Sequence, residues 1–176
     1  AAALDIVRRG GMAALTARSL AAELGSSAKP VFGLFENMQE VQDEVVRAAN
    51  AEYQFFLRAE MMRGAYPPYK ASGMAYIAFA RQEKELFKLL FMRDRTEEDS
   101  ETEDESIDGI IALISRNTGL SNEDARLFHL EMWIFVHGIA TMIVTGYLDW
   151  EEEYVSRTLT DVYEGLKARW CGGNGK

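Results

Sequence analysis

Cysteine is almost missing from this chain: Cys171 is the single one in 176 residues. One thiol cannot form an intrachain disulfide, so a hydrophobic core must hold the fold, and the usage suits a reducing compartment. Three prolines leave long stretches free for helix, and strand-like alternation is scarce, so an all-α fold is expected. The longest apolar run, Met132 to Val144, is interrupted by His137 and Gly138. It falls short of the ~20 residues that span a bilayer. With no signal-peptide pattern at the front, no membrane partner and a cytoplasmic location are expected. Catalytic signatures are missing too: there is no Gly-rich phosphate loop, no Cys/His metal spacing, no Gly-x-Ser-x-Gly and no nucleophile set beside a base. No catalytic residue, cofactor or metal site is therefore named, and no enzymatic activity is expected. His129 and His137 share a helix two turns apart with Glu131 between them, but Glu131 points away. They read as core or interface histidines.

Cations are also few, since the net charge is −9. Such a balance argues against a nucleic-acid partner, because Lys and Arg supply most non-specific affinity for phosphate. The distribution matters more. Residues 1–35 hold Arg8, Arg9, Arg18 and Lys29 against Asp5 and Glu23, a net of +2, which leaves −11 on the rest. A mildly basic head on an acidic body is the segregation that a DNA reader needs.

What is present in that head is a pair of short helices. Thr16 can cap the first, with Leu20 and Leu24 one turn apart on one face, and Gly25 supplies a sharp exit. Ser27 can cap the second, Pro30 falls harmlessly in its first turn, and Val31, Leu34 and Phe35 form an inward i, i+3, i+4 stripe. Ala28, Lys29, Phe32 and Gly33 are left on or near the outer face, where a recognition helix meets the major groove. An ordinary helical hairpin has the same local pattern.

Further along, Asn37 and Glu40 open a helix predicted to reach Met62, with Val41, Val45, Ala48, Ala49, Tyr53, Phe56 and Leu57 inward. Gly64 to Pro68 must be a loop. Helices are predicted from Tyr69 to Glu83, with Met74, Ile77, Ala78 and Arg81 on one side, and then through Leu86 to Phe91. Between Glu97 and Glu105 seven of nine residues are acidic, which reads as a solvated loop, with helix resuming at Ser106. Ser121 caps a helix reaching about Thr145 that is apolar nearly all round, and a last helix begins at Asp149.

The stretches Ala1 to Met12, Leu15 to Ala21, Leu24-Gly25 and Val31 to Phe35 together resemble the amino-terminal domain of the tetracycline-repressor (TetR) family of bacterial transcription regulators. Tyr76-Ile77-Ala78-Phe79-Ala80, Glu85-Leu86-Phe87 with Phe91, and Trp133-Ile134-Phe135-Val136-His137-Gly138 resemble a carboxy-terminal domain class of that family marked by a Trp…His-Gly helix. The resemblance implies a helix-turn-helix DNA-binding domain of three helices at 1–45 and a helical effector-binding and dimerisation domain at 46–176. It also implies a homodimer gripping a palindromic operator on double-stranded DNA, released by a small-molecule effector. Three positions depart from the family pattern: Phe32 is commonly Tyr there, Leu34 commonly His and Met38 commonly Lys. A basic leader ahead of Ala1 is also expected on this resemblance.

The residues expected to meet DNA are thus Thr16, Arg18, Ser27, Ala28, Lys29, Phe32 and Gly33. An unidentified small-molecule effector would meet Tyr53, Phe56, Met74, Ile77, Phe87, Phe91, Trp133 and His137, apolar and aromatic groups with a few polar tips. The partner subunit would meet Phe128, Phe135 and Met142, together with Tyr154, Val155, Leu159, Val162, Tyr163 and Leu166. The competing expectation is an all-helical ligand-binding or protein-interaction module with a degenerate reading head.

Overall fold

The computed structural model describes residues 1–25, 33–93 and 101–172. Helix α1 (Ala2–Gly10) buries Leu4, Ile6 and Val7, and its ends suit the helix dipole, with Asp5 in the first turn and Arg8 and Arg9 in the last. It stops at Gly11, whose φ of +71° lies in the left-handed region that glycine enters without strain. A 3-10 turn, Met12–Ala14, leads to α2 (Ala17–Glu23). Thr16 and Ser19 close a reciprocal cap on α2: the Thr16 side chain accepts from the Ser19 amide, and the Ser19 hydroxyl accepts from the Thr16 amide. Gly25, at φ +62°, makes the exit that the sequence calls for.

The expected second helix of the hairpin, with Ser27, Ala28, Lys29 and Phe32, lies outside the described residues. One of its predicted inward positions is corrected. Gly33 and Leu34 form a turn rather than helix, so the i, i+3, i+4 stripe breaks and Leu34 stands 82% exposed. Phe35 packs against the core as expected.

Asn37 caps α3 (Met38–Met62) by accepting from the Glu40 amide at 3.0 Å, while the Glu40 carboxylate takes the Glu36 amide. Val41, Val45 and Ala49 face inward at helical spacing. Pro68 opens α4 (Pro68–Gln82), where its missing N–H costs nothing. α4 is the centre of the fold, packed against α3, α5, α7 and α8, and seven of its fifteen residues are buried. Gly73 permits that closeness: a Cβ there would lie 3.4 Å from a Val136 methyl and 3.6 Å from a Leu159 methyl. Arg81, expected inward, is exposed at the end of α4, where its guanidinium holds Asp149 and the Trp150 carbonyl. α5 (Lys84–Phe91) follows after Glu83 alone.

α6 (Glu101–Thr118) begins five residues before the expected Ser106. The stretch 101–105, expected as loop, is therefore helix. Ser121 caps α7 (Asn122–Val144) through the Asp124 amide. α7 is long and apolar enough, by length and composition, to cross a membrane, with mean hydropathy 1.6. The helix begins at Asn122, ten residues before Met132, so it exceeds the length expected from the apolar run alone. Its packing gives the apolarity another cause, since Phe128, Met132, Val136, Ile139 and Ile143 are buried against neighbouring helices. α8 (Glu152–Gly172) closes the described chain.

Among the described residues there is no strand, and the molecule is all-α. One apolar cluster runs without a break from Leu4, Val7, Leu15 and Leu20 through Val41 and Val45 to Phe79, Phe87 and Ile139. A smaller one joins Ile111, Ile114, Phe128 and Met132 beneath α6, α7 and α8.

Candidate nucleic-acid interface, aromatic site and exposed helix face

Two of the four head cations are already engaged. Arg9 donates to Glu23 at 2.7 Å, tying α1 to α2. Arg8 donates from Nε to Glu83 at 2.9 Å and from a terminal nitrogen to Asp5 at 3.0 Å, with Glu52 at 3.9 Å. Burial works to lower the pKa of Arg8, but the hydrogen bond and charge of Glu83, helped by Glu52 and Asp5, raise it above its ordinary value. Arg18 is exposed on α2 and pairs with no described residue. Thr16 is exposed at the α2 cap and Gly33 in the following turn. An open groove of about 450 Å³ lies between α1 and α2, lined by Ile6, Arg9, Gly10, Ala14, Ser19, Ala22 and Glu23. None of the residues expected to meet an effector borders it.

Those residues gather elsewhere. Tyr53 of α3 meets Phe91 of α5 edge-on at 5.1 Å, Phe56 meets Phe79 at 5.6 Å, and Phe87 meets Phe91 at 5.0 Å. His137 of α7 is held between two rings: Trp133 stacks on it at 4.9 Å and 13°, and Phe87 lies at 6.1 Å and 26°. Met74 and Ile77 are buried in the same apolar cluster. The ring contacts are joined by two residues not expected to meet an effector, Tyr76 and Phe79. Tyr76 touches Tyr53, Phe87, Phe91 and His137, and Phe79 touches Tyr53 and Phe56. Both lie in the Tyr-Ile-Ala-Phe-Ala stretch, and Tyr76 falls two turns after Tyr69 on α4, which was the available signal.

Two tyrosine–histidine pairs supply the polar contacts here. The Tyr76 hydroxyl sits 2.9 Å from His137 Nδ1, and two turns earlier on both helices the Tyr69 hydroxyl sits 3.1 Å from His129 Nδ1. Burial lowers the pKa of both histidines, so the neutral ring is favoured at neutral pH. Burial raises the tyrosine pKa values, that of Tyr53 to about 12, so the phenols stay protonated. In the tautomer in which Tyr76 donates to Nδ1, the His137 proton sits on Nε2 and is a second donor.

Several residues expected at a subunit interface turn inward instead. Phe128, Val155 and Leu159 are buried within their own protomer. On a helix apolar nearly all round, sequence cannot say which side the neighbours take; Phe128 is claimed by Tyr69 and Tyr163. Phe135, Val162, Tyr163 and Leu166 are half-buried against their own core. Met142 and Tyr154 do face outward, at 42% and 43% exposure. The exposed apolar side of α7 is carried by residues not foreseen as interface: Leu127, Leu130 and Ile134, with Trp133 at its edge. Gly138 continues that side, and a Cβ there would meet nothing within 4 Å.

Residues 69–163, more than half of the chain, match the family model described as tetracyclin repressor-like, C-terminal domain. The fold is similar to the crystal structure of a TetR-like transcriptional regulator from Rhodococcus sp. RHA1, with TM-score 0.65 and 14% identity over 98% of this chain and 93% of that one. No curated protein matches the sequence.

Proposed function

Since the chain belongs to the tetracycline-repressor (TetR) family of transcriptional regulators, we propose that it is a ligand-responsive repressor that grips a palindromic operator as a homodimer. The observation that carries this reading is the exposed apolar side of α7. Leu130 at 50% and Ile134 at 59% exposure, with Leu127 and Met142 on the same side, form a contiguous surface of the kind that marks a protein partner. A second copy fits best, because a two-fold axis through α7 covers one such surface with the other. Two heads then project from one body, as a palindromic site with half-sites ~34 Å apart requires.

Within each head, Thr16 and Arg18, with Ser27, Ala28, Lys29, Phe32 and Gly33, are the residues proposed to meet the duplex. The proposed effector is an apolar or aromatic molecule with a hydrogen-bond acceptor for His137 Nε2–H. It would wedge among Tyr53, Phe56, Met74, Ile77, Phe87, Phe91 and Trp133, where displaced rings move α3 or α5.

The alternative module with a degenerate head is favoured by the pairing of Arg8 and Arg9 with carboxylates, which removes two cations from phosphate contact. Selection from a pool of random duplexes separates the two readings. The repressor reading expects an enriched palindrome bound by two subunits. A pool that emerges unenriched, with the protein folded, overturns it.

A further inference from the structure

Arg8 is the place where the head meets the body through charge. Its single guanidinium faces carboxylates on three elements: Asp5 on α1 at 3.0 Å, Glu52 on α3 at 3.9 Å and Glu83 at 2.9 Å. Glu83 is the one residue between α4 and α5. The turns on either side of it carry Tyr76 and Phe79 before and Phe87 and Phe91 after, four rings of the aromatic group. A second contact lies three residues beyond Arg8. A Cβ on Gly11 would come within 2.8 Å of Glu85 Oε2, so the head backbone rests directly on α5, while Glu85 itself is held by Lys88 at 2.7 Å.

On the reading that the head binds duplex, we infer that Arg8 is a positioning residue: by clamping Glu83 it transmits movement between the aromatic group and the DNA-reading helices, in addition to any path along α3. Three carboxylates around one cation make the contact sensitive. With Arg8 in place they converge and α1 is drawn onto the α4–α5 junction; with its charge removed, Asp5, Glu52 and Glu83 face each other unneutralised and push the head away. A shift of Phe87 or Phe91 moves α5 and therefore Glu83 at its entry. Coupling is reciprocal, so a duplex held by the head must in turn change α5. An ion pair of this exposure adds little stability by itself. Its role is geometric, which is what distinguishes the inference from a plain staple.

The test is hydrogen exchange of the α5 amides, residues 84–91, in the full chain with and without a saturating duplex enriched by the wild type. The wild type should show a change on duplex addition. Arg8→Gln and Glu83→Gln should each lose that change while still binding, with duplex affinity lowered about fivefold or more. The double variant should be no worse than either single one. Arg8→Lys, which keeps the charge, should restore part of the response. An α5 response that persists undiminished in Glu83→Gln, or in a folded Arg8→Gln, overturns the inference while leaving the repressor reading intact. A wild type that enriches no duplex overturns both.

Discussion

Replacing Ile134 with Glu puts a charge at the middle of the exposed side of α7. Ile134 is 59% exposed in the protomer, so that share of its surface is what a partner would still cover. Full burial of such a side chain contributes about 1.5–3 kcal/mol, so the remaining share amounts to roughly 1–2 kcal/mol per copy. A two-fold interface counts each residue twice, which gives roughly 2–4 kcal/mol, or roughly thirty- to several-hundred-fold in the dimer dissociation constant. Dehydrating two carboxylates would add to the loss. The assay is sedimentation equilibrium of wild type and variant, with circular dichroism to show that the protomer still folds, as an exposed position should allow. A variant that dimerises with undiminished affinity would refute the assignment of this side to the partner, and a monomeric wild type would refute the dimer itself.

Phe128→Ala should behave differently, losing about 3–5 kcal/mol of protomer stability in urea denaturation, because its ring is fully buried beneath Tyr69 and Tyr163 rather than between subunits. His129 and His137 have folded pKa values lowered from 6.5 by burial, so the unfolded chain binds more protons. Stability should thus be fully present above about pH 6.5 and decline as pH falls through that value toward the lower folded pKa values; urea midpoints at pH 8 and pH 5.5 test this, and His129→Gln with His137→Gln should flatten the slope. Arg18→Ala should lower the slope of log affinity against log salt by about one unit, whereas Arg9→Ala, whose cation is held by Glu23, should change it far less.

Local signals in the sequence were the most legible. Thr16, Asn37 and Ser121 each cap the helix they precede, because a short polar side chain before an apolar periodic run has one dominant use. Which side of a helix the rest of the chain occupies was harder to read. Val155 and Leu159 sit in the repeat that suggested a subunit interface, yet both go to the core, since four residues on one side of a helix look alike whether the neighbour is α4 or another chain. Arg81 shows the same limit at a helix end, where a long charged side chain reaches water and the α7–α8 loop. The aromatic group was half visible: its members on α3, α5 and α7 were foreseen individually, but Tyr76 and Phe79, which join them, acquire that role only when α4 is placed at the centre. The inward direction expected of Leu34 requires helix through Gly33, and the turn there sends the side chain outward.

The two tyrosine–histidine bonds between α4 and α7 have a mechanical consequence. Tyr69 with His129 and Tyr76 with His137 lie about 10–12 Å apart along the helices at 1.5 Å per residue. One pin would let α7 swivel about it, whereas two pins this far apart fix a line. The pair of helices must therefore travel as a single plank, so a push felt at the outer side of α7 arrives at the end of α4 without being absorbed by slippage on the way.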